Sequence, residues 1–551
     1  MKERYLDIME KALSAYDRDR IRAYIDEVKR DGLTEHGFAR MGANIGILLA
    51  HGRCGDYYDL FLEIMDICCR EMPRVKAAND FTIREVCCAL MLLEEKKLLP
   101  PERLALWKSQ LAAFDPWKFY TVVAPTPDTP VGNWAAFAGL SEFVRCKWLG
   151  GDATEFVDWE FSSLFPWFDE SGMYMDIPPA NPMVYDIVTR LLCSALLAFG
   201  YTGKLMERLT EMLDKTVDIT LQMQSVTGEI PFGGRSNQFL HNEPLYISLC
   251  EMEARRLAQK GEMEIAAKLR GAAKLAAEHT WQKMNEKPLG HMKNHYDVDS
   301  FIGSEGYGYF NKYMITAATN IYLGYLFADE TVAPATPVAR EGGYAAVTSS
   351  AFHKVFLNAG GYFLEFDTAA DFHYDANGLG RIHKAGIPSA LCLTVPFPGE
   401  HPSYGLEAPN RGPMSICSAV GDLVGAEKPY LLRHAEATAE VGNVSFEVTL
   451  SPEITLTEDY RVTENGVEIT LSGHPEAAYC IPVFEFDGKN TTQIEKRDNL
   501  LAITYQGVTC TWQTAGVIPD NFIYYYNRNG RYRLYRVKGQ KFRVTLDVLS
   551  K

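Results

Sequence analysis

Residues 228–244 hold Glu229, Arg235, Asn237, His241, Asn242 and Glu243 close together, with apolar Phe232, Phe239 and Leu240 among them. A guanidinium, an imidazole, amides and carboxylates are the groups that bind and cleave a sugar. Pro231, Gly233 and Gly234 interrupt any helical period, so the stretch reads as a loop, and loops carry function. A plainer reading makes Asn242 a helix N-cap with Pro244 in the first turn. That reading accounts for those two residues and leaves Arg235, Asn237 and His241 unexplained.

Four other clusters have similar chemistry. Asn133 and Trp134 open a helical pattern and offer an amide and a stacking face; the bland alternative is an N-cap and a core Trp. Tyr174, Asp176, Asn181, Tyr185 and Asp186 decorate a Pro-broken helix entry, where caps and turns account for about half of them. Residues 293–309 carry His295, Tyr296, Glu305, Tyr307 and Tyr309, with glycines that permit close approach. Asp297 and Asp299 there make too sparse a ligand set to specify a cation. His373, Tyr374, Asp375, Asn377, Arg381 and His383 fall within eleven positions of each other. A loop so polar faces either a cleft or a metal; His373, Asp375 and His383 would be the ligands, but their spacing is not diagnostic of zinc. The expectation is therefore no cofactor, with structural zinc or calcium as the lesser alternative.

These clusters need a scaffold. The chain has 551 residues, more than one core normally holds, so at least two domains are expected. Residues 1–330 keep a helical period in about twelve segments, near 5–28, 35–51, 56–72, 79–96, 101–113, 132–149, 153–167, 183–200, 203–224, 243–260, 262–286 and 308–327. Six helical hairpins can close into a toroid or run on as a solenoid, and periodicity does not separate these. Residues 331–341 read as a linker. Residues 342–551 change to period two, as in 446–450, 467–471 and 542–546, with turn signals at Asn465-Gly466, Asp487-Gly488 and Asn529-Gly530. They predict an antiparallel β-sandwich. In a toroid, alternate loops emerge on one face, so four of the clusters would line one groove and the sandwich would close its end with the fifth.

The net charge of −16 disfavours nucleic acid and an acidic membrane as partners. No apolar run reaches the ~20 residues of a membrane span, and the first residues do not form a signal peptide. The 12 cysteines, including Cys68-Cys69 and Cys87-Cys88, lack metal-ligand spacing and read as buried thiols. A cytoplasmic location is the expectation. Closing one end of a groove suits a neighbouring subunit, which makes a homo-oligomer a further expectation.

A helical toroid followed by a sandwich resembles the heparinase II/III-like polysaccharide lyases. The residues that carry the likeness are Gly132-Asn133-Trp134, Tyr307, the loop 373–378 and the element Ala385-Gly386-Ile387-Pro388. The sequence departs from the family where Trp134 follows Asn133 in place of the usual Asn-His pair. Its loop 233–238 is closer to toroid-plus-sandwich glucuronidases. The resemblance implies an N-terminal (α/α)6-type toroid, an antiparallel β-sandwich, and a uronic-acid-containing oligosaccharide as substrate.

As a lyase, the protein would cleave beside a uronic acid by β-elimination. Asn133, Arg235 and Asn237 would neutralise the carboxylate, His241 or His373 would take the C5 proton, and Tyr307 or Tyr296 would protonate the leaving oxygen. Trp134, Tyr185, Asn377 and Arg381 complete the expected substrate contacts. A cytoplasmic enzyme meets short imported chains, so exo-action is expected. The alternative is a β-glucuronidase-like glycoside hydrolase using paired carboxylates from Glu229, Glu243, Glu305 and Asp186. A non-catalytic sugar-binding protein is the second alternative.

Overall fold

The computed structural model describes residues 1–179 and 182–548; Asn181 lies outside the described residues. Six helices form an inner ring: Gly37–Ala50, Asn79–Glu95, Trp134–Leu149, Met183–Ala198, Asn242–Gln259 and Thr316–Phe327. Each packs on the next, and the last packs back on the first, which makes a closed toroid and not a solenoid. The inner helices are mostly buried because neighbours surround them. In Gly37–Ala50 every residue is buried. A Cβ at Gly42 would come within 2.5 Å of Ile64 and one at Gly46 within 2.7 Å of Phe61, so the glycines set how closely the outer helix Tyr58–Glu71 can approach.

Outer helices pack behind the ring and are amphipathic; Met206–Lys215 buries Leu209, Met212 and Leu213 and leaves its charges outside. Several expected segments are broken in the structure; residues 308–327 divide into Phe310–Tyr313 and Thr316–Phe327, and 153–167 into Thr154–Ser162 and Phe165–Trp167. Residues 5–28 divide into Lys2–Leu13 and Arg18–Asp31, where Asp17 caps the second helix by accepting from Arg20 N at 2.8 Å. Residues 203–224 divide at Thr216. In residues 331–341, Val338–Glu341 forms a helical turn and Ala335 N donates to Ala267 O at 2.9 Å.

From Tyr344 onward the chain forms antiparallel sheets of four, eight and five strands. The three alternating segments noted in the sequence lie in Val441–Ser451, Gly466–Ser472 and Lys541–Val548. Val441–Ser451 buries alternate residues, as expected of a strand with one wet face. The four-stranded sheet differs. Lys354–Ala359 and Tyr362–Asp367 are buried on both faces. Phe356 and Phe363 join the helical core, whereas Val355, Leu357, Leu364 and Phe366 join the sandwich core. That sheet is the joint between the halves.

Its helix-facing side also carries buried charge. Lys354 pairs with Asp367 at 2.9 Å, Arg381 pairs with Glu365 at 3.1 Å, and Lys354 Nζ sits 3.4 Å from the centroid of Phe232. Buried charges persist where they are paired, and here they hold a loop of the helical half.

Candidate active site

The first turns of all six inner helices converge on one cavity of about 440 Å³. None of the six is capped by the side chain of its own N-cap residue. Their N-termini therefore present the positive ends of six helix dipoles to the cavity. His36, Arg40, Asn133, Trp134, Tyr185, Arg235, Ser236, His241, Tyr307, Lys312 and Tyr313 supply its polar and aromatic lining. One turn deeper, Phe137, Val188, Leu245 and Asn320 close the floor.

The loop 233–238 forms one wall and is held from three sides. Asp375, from the sheet half, accepts from Gly234 N at 2.8 Å. Glu305 accepts from Ser236 N at 2.5 Å and from Arg528 Nη2 at 2.7 Å. Asp176 pairs with Arg235 and also accepts from Asn133 N at 2.9 Å, so one carboxylate ties Arg235 to the Trp134 helix. Ser236 adopts φ 60°, a left-handed conformation that costs a non-glycine residue energy unless surrounding bonds hold it. The bond to Glu305 supplies that restraint. It places Ser236 Oγ 2.6 Å from Tyr307 OH and 3.0 Å from Tyr185 OH.

The cavity is cationic, and His36, Arg40 and His241 are buried in its wall. Burial, then Arg40, His291 and Lys293, push His241 down to about 3. It is a neutral imidazole at physiological pH, and its buried Nδ1 has no hydrogen-bond partner among the described residues. His36 is also held well below the ordinary range, by burial and then Arg40. Burial, then Tyr185 and Glu305, push the Tyr307 phenol up, so it keeps its proton. Tyr313 lies between these groups, its ring centroid 5.5 Å from His241, 5.5 Å from His36 and 5.8 Å from Tyr307. Arg235 stacks on Tyr185 with its guanidinium carbon 4.4 Å from the ring centroid. Arg40 donates to Thr316 Oγ1 at 2.9 Å and pairs with Glu85 at 3.3 Å. Among the described lining residues Glu35 is the one carboxylate. It is already engaged by Tyr24 OH and by Gly37 N at 2.5 Å.

The structure thus brings together Asn133, Trp134, Tyr185, Arg235, His241 and Tyr307 of the residues expected from sequence. It places the others elsewhere. Glu243 accepts from Lys293 Nζ at 2.6 Å and faces away from the cavity. Glu229 lies 3.9 Å from Lys293, 3.8 Å from His279 and 3.6 Å from His383. Burial alone would raise its pKa, but these neighbours hold it well below the ordinary carboxylate range. Asp186 is buried against Arg190 at 2.5 Å, and Glu305 against Arg528. Asn237 accepts from Gln238 within the loop, Tyr296 donates to Glu407 at 2.6 Å, and Asn377 accepts from Ala370 N at 2.6 Å. Arg381 donates to Ile230 O and Thr394 O, and so braces the loop from behind. His373 is exposed and packs on Tyr374.

The metal alternative finds no convergent ligand set. His383 is engaged by Ser225 at 2.7 Å and Thr394 at 2.8 Å, and Asp375 by Gly234 N. Among the described residues no group of three or more His, Cys, Asp or Glu is arranged to hold a metal ion. The N-cap of Asn242–Gln259 is His241, not Asn242, whose Nδ2 donates to Ser236 O at 3.0 Å. Sequence reasoning missed His36, Arg40, Ser236, Lys312 and Tyr313. A signal for the first two was present: they sit at the opening of the segment 35–51, the place in the helical order that Asn133 and His241 occupy in theirs.

Among the described residues no helix is long and apolar enough to cross a membrane. No family model and no curated protein matches the sequence. Solved structures do. Heparinase III is 10% identical, with a TM-score of 0.46 over 93% of this chain and 76% of that one. A chondroitin lyase, the baculovirus envelope protein ODV-E66, is 10% identical, with a TM-score of 0.47 over the same shares. A glycosyl hydrolase family 88 protein from Bacteroides vulgatus is 10% identical, with a TM-score of 0.36 over 59% of this chain and 99% of that one.

Proposed function

We propose that this protein is a lyase that cleaves uronic-acid-containing oligosaccharides by β-elimination from a chain end. One observation carries the reading. His241, Tyr307, Arg40, Arg235 and Lys312 face a single cavity in which Glu35 is the sole described carboxylate, while Glu229, Glu243 and Glu305 are tied into ion pairs outside it. Hydrolysis with paired carboxylates needs two such groups flanking the bond. Elimination needs a cationic clamp, a base and an acid.

In the mechanism the clamp is Arg235 and Arg40, supported by the helix N-termini. Neutralising the C6 carboxylate makes the C5 proton more acidic. Neutral His241 takes that proton. The C5–H electrons become the C4–C5 double bond, and the C4–O bond breaks. Tyr307 gives its proton to the departing oxygen, and Ser236 and Tyr185 stabilise the phenolate through their hydroxyls. Proton return from imidazolium, through solvent, resets both groups. Trp134 and Phe81, 4.5 Å apart, offer apolar faces to the sugar ring. Exo-action is part of the proposal, with the terminal uronate resting on Phe137, Val188, Leu245 and Asn320.

The test is incubation with a panel of uronic-acid oligosaccharides, following ultraviolet absorbance of the conjugated C4–C5 double bond and product mass. Absorbance with no gain of water is the expected result. Cleavage with water gained and no absorbance would overturn elimination in favour of hydrolysis.

A further inference from the structure

The main cavity does not end at Thr34, Glu35 and Lys312. The same three residues also line a second groove of about 230 Å³, so the two spaces meet across them. On the far side the groove is bounded by Tyr24, Glu27, Asp31, Tyr309 and Asn311. The side chain of Tyr309 is 48% exposed, and Phe301, 36% exposed, packs edge-on against it at 5.5 Å. Lys312 Nζ lies 5.1 Å from the Tyr309 ring centroid, and the residue stays about half exposed at the groove. Sugar rings stack on such faces.

Charge reverses from one space to the other. The main cavity presents Arg40, Arg235 and Lys312. The groove presents Glu27, Asp31 and Glu35 with Lys312 at the boundary. Asp31 is partly balanced by Arg30 at 2.7 Å, and Glu35 by its bonds to Tyr24 and the helix N-terminus. Glu27 carries no ion pair among the described residues.

We infer that this groove is the subsite for the sugar ring next to the uronate, and that it takes an uncharged or amino-bearing ring and rejects a sulfated one. The inference rests on reading the main cavity as a uronate site. A sulfate there would lie beside carboxylates, and like-charge juxtaposition opposes binding. A neutral ring would stack on Tyr309 and hydrogen-bond to the acidic rim.

The experiment compares kcat/KM, on the full chain, for tetrasaccharides that differ only in sulfate on the rings flanking the cleaved uronate. The unsulfated substrate should be preferred by about tenfold or more, the effect of ~1.4 kcal/mol. Glu27→Gln with Asp31→Asn should narrow that ratio. Tyr309→Ala should raise KM for the unsulfated tetrasaccharide and leave the affinity for a free uronate monosaccharide, which reaches only the main cavity, unchanged. Equal or reversed preference, with turnover intact, overturns the subsite and leaves the uronate reading standing. Failure of any uronate oligosaccharide to bind, measured by calorimetry, overturns both.

Discussion

Arg528 donates to the Glu305 carboxylate at 2.7 Å across the boundary between the two halves. It does so from the tip of a two-residue hairpin turn, where Asn527 Oδ1 accepts from Asn529 N at 2.9 Å and fixes the turn. Glu305 in turn holds Ser236 N. A residue of the sheet half thus reaches the phenol of Tyr307 through two side chains. Replacing Arg528 with Met leaves Glu305 buried and unpaired, which costs about 3–5 kcal/mol. The denaturant midpoint should fall accordingly. Adding Glu305→Gln should restore much of the stability but not kcat, because the restraint on Ser236 weakens.

His241→Gln should lower kcat by about 10²–10⁴, the usual contribution of a general base, with less change in KM. Because burial holds the His241 pKa at about 3, it is deprotonated through the physiological range. The pH profile of kcat/KM should then lack the acid limb near 6.5 that an ordinary imidazole gives. A limb at that value that vanished in the Gln variant would contradict the assignment.

The same shift bears on stability. The unfolded chain takes up a proton on this residue below about pH 6.5, while the folded chain resists until about 3. Its contribution is fully present above 6.5 and is lost as pH falls toward 3. His241→Gln should therefore flatten the acid side of the stability curve, as chemical unfolding at a series of pH values would reveal.

Tyr307→Phe keeps the ring and removes the proton donor. Turnover of oligosaccharides should fall by about 10²–10⁴. A uronate with an aryl leaving group on O4 needs little protonation, and the variant should turn it over much closer to the wild-type rate. Equal losses on both substrates would remove Tyr307 from the acid role.

Glu229→Gln and Glu243→Gln separate the two chemistries. Each disturbs the buried cluster around Lys293, so each should lower the melting temperature. The folded fraction should retain kcat. A variant that stays folded and loses kcat would favour hydrolysis.

Much of this arrangement was legible in the chain because the cavity is built from local starts. Asn133, Trp134 and His241 each sit where a periodic segment begins, and a closed ring turns successive starts toward one point. Arg235 and Tyr307 stood out as reactive groups in glycine-bearing loops. What stayed hidden was pairing over long separations. Glu243 looks like Tyr307 in sequence, a polar residue near a helix entry, until Lys293 takes its carboxylate. Arg381 looks like a sugar ligand until Ile230 O and Glu365 claim its donors. His36 and Arg40 carried a fainter mark, their place at the opening of the segment 35–51, and the ring is what brings them to Tyr313 and Thr316.

The strands Lys354–Ala359 and Tyr362–Asp367 give one face to each core. Neither half can then melt without stripping a wall from the other, so heat should unfold the chain in a single cooperative transition. Evolution could not easily lend the helical ring to another protein without carrying that sheet along.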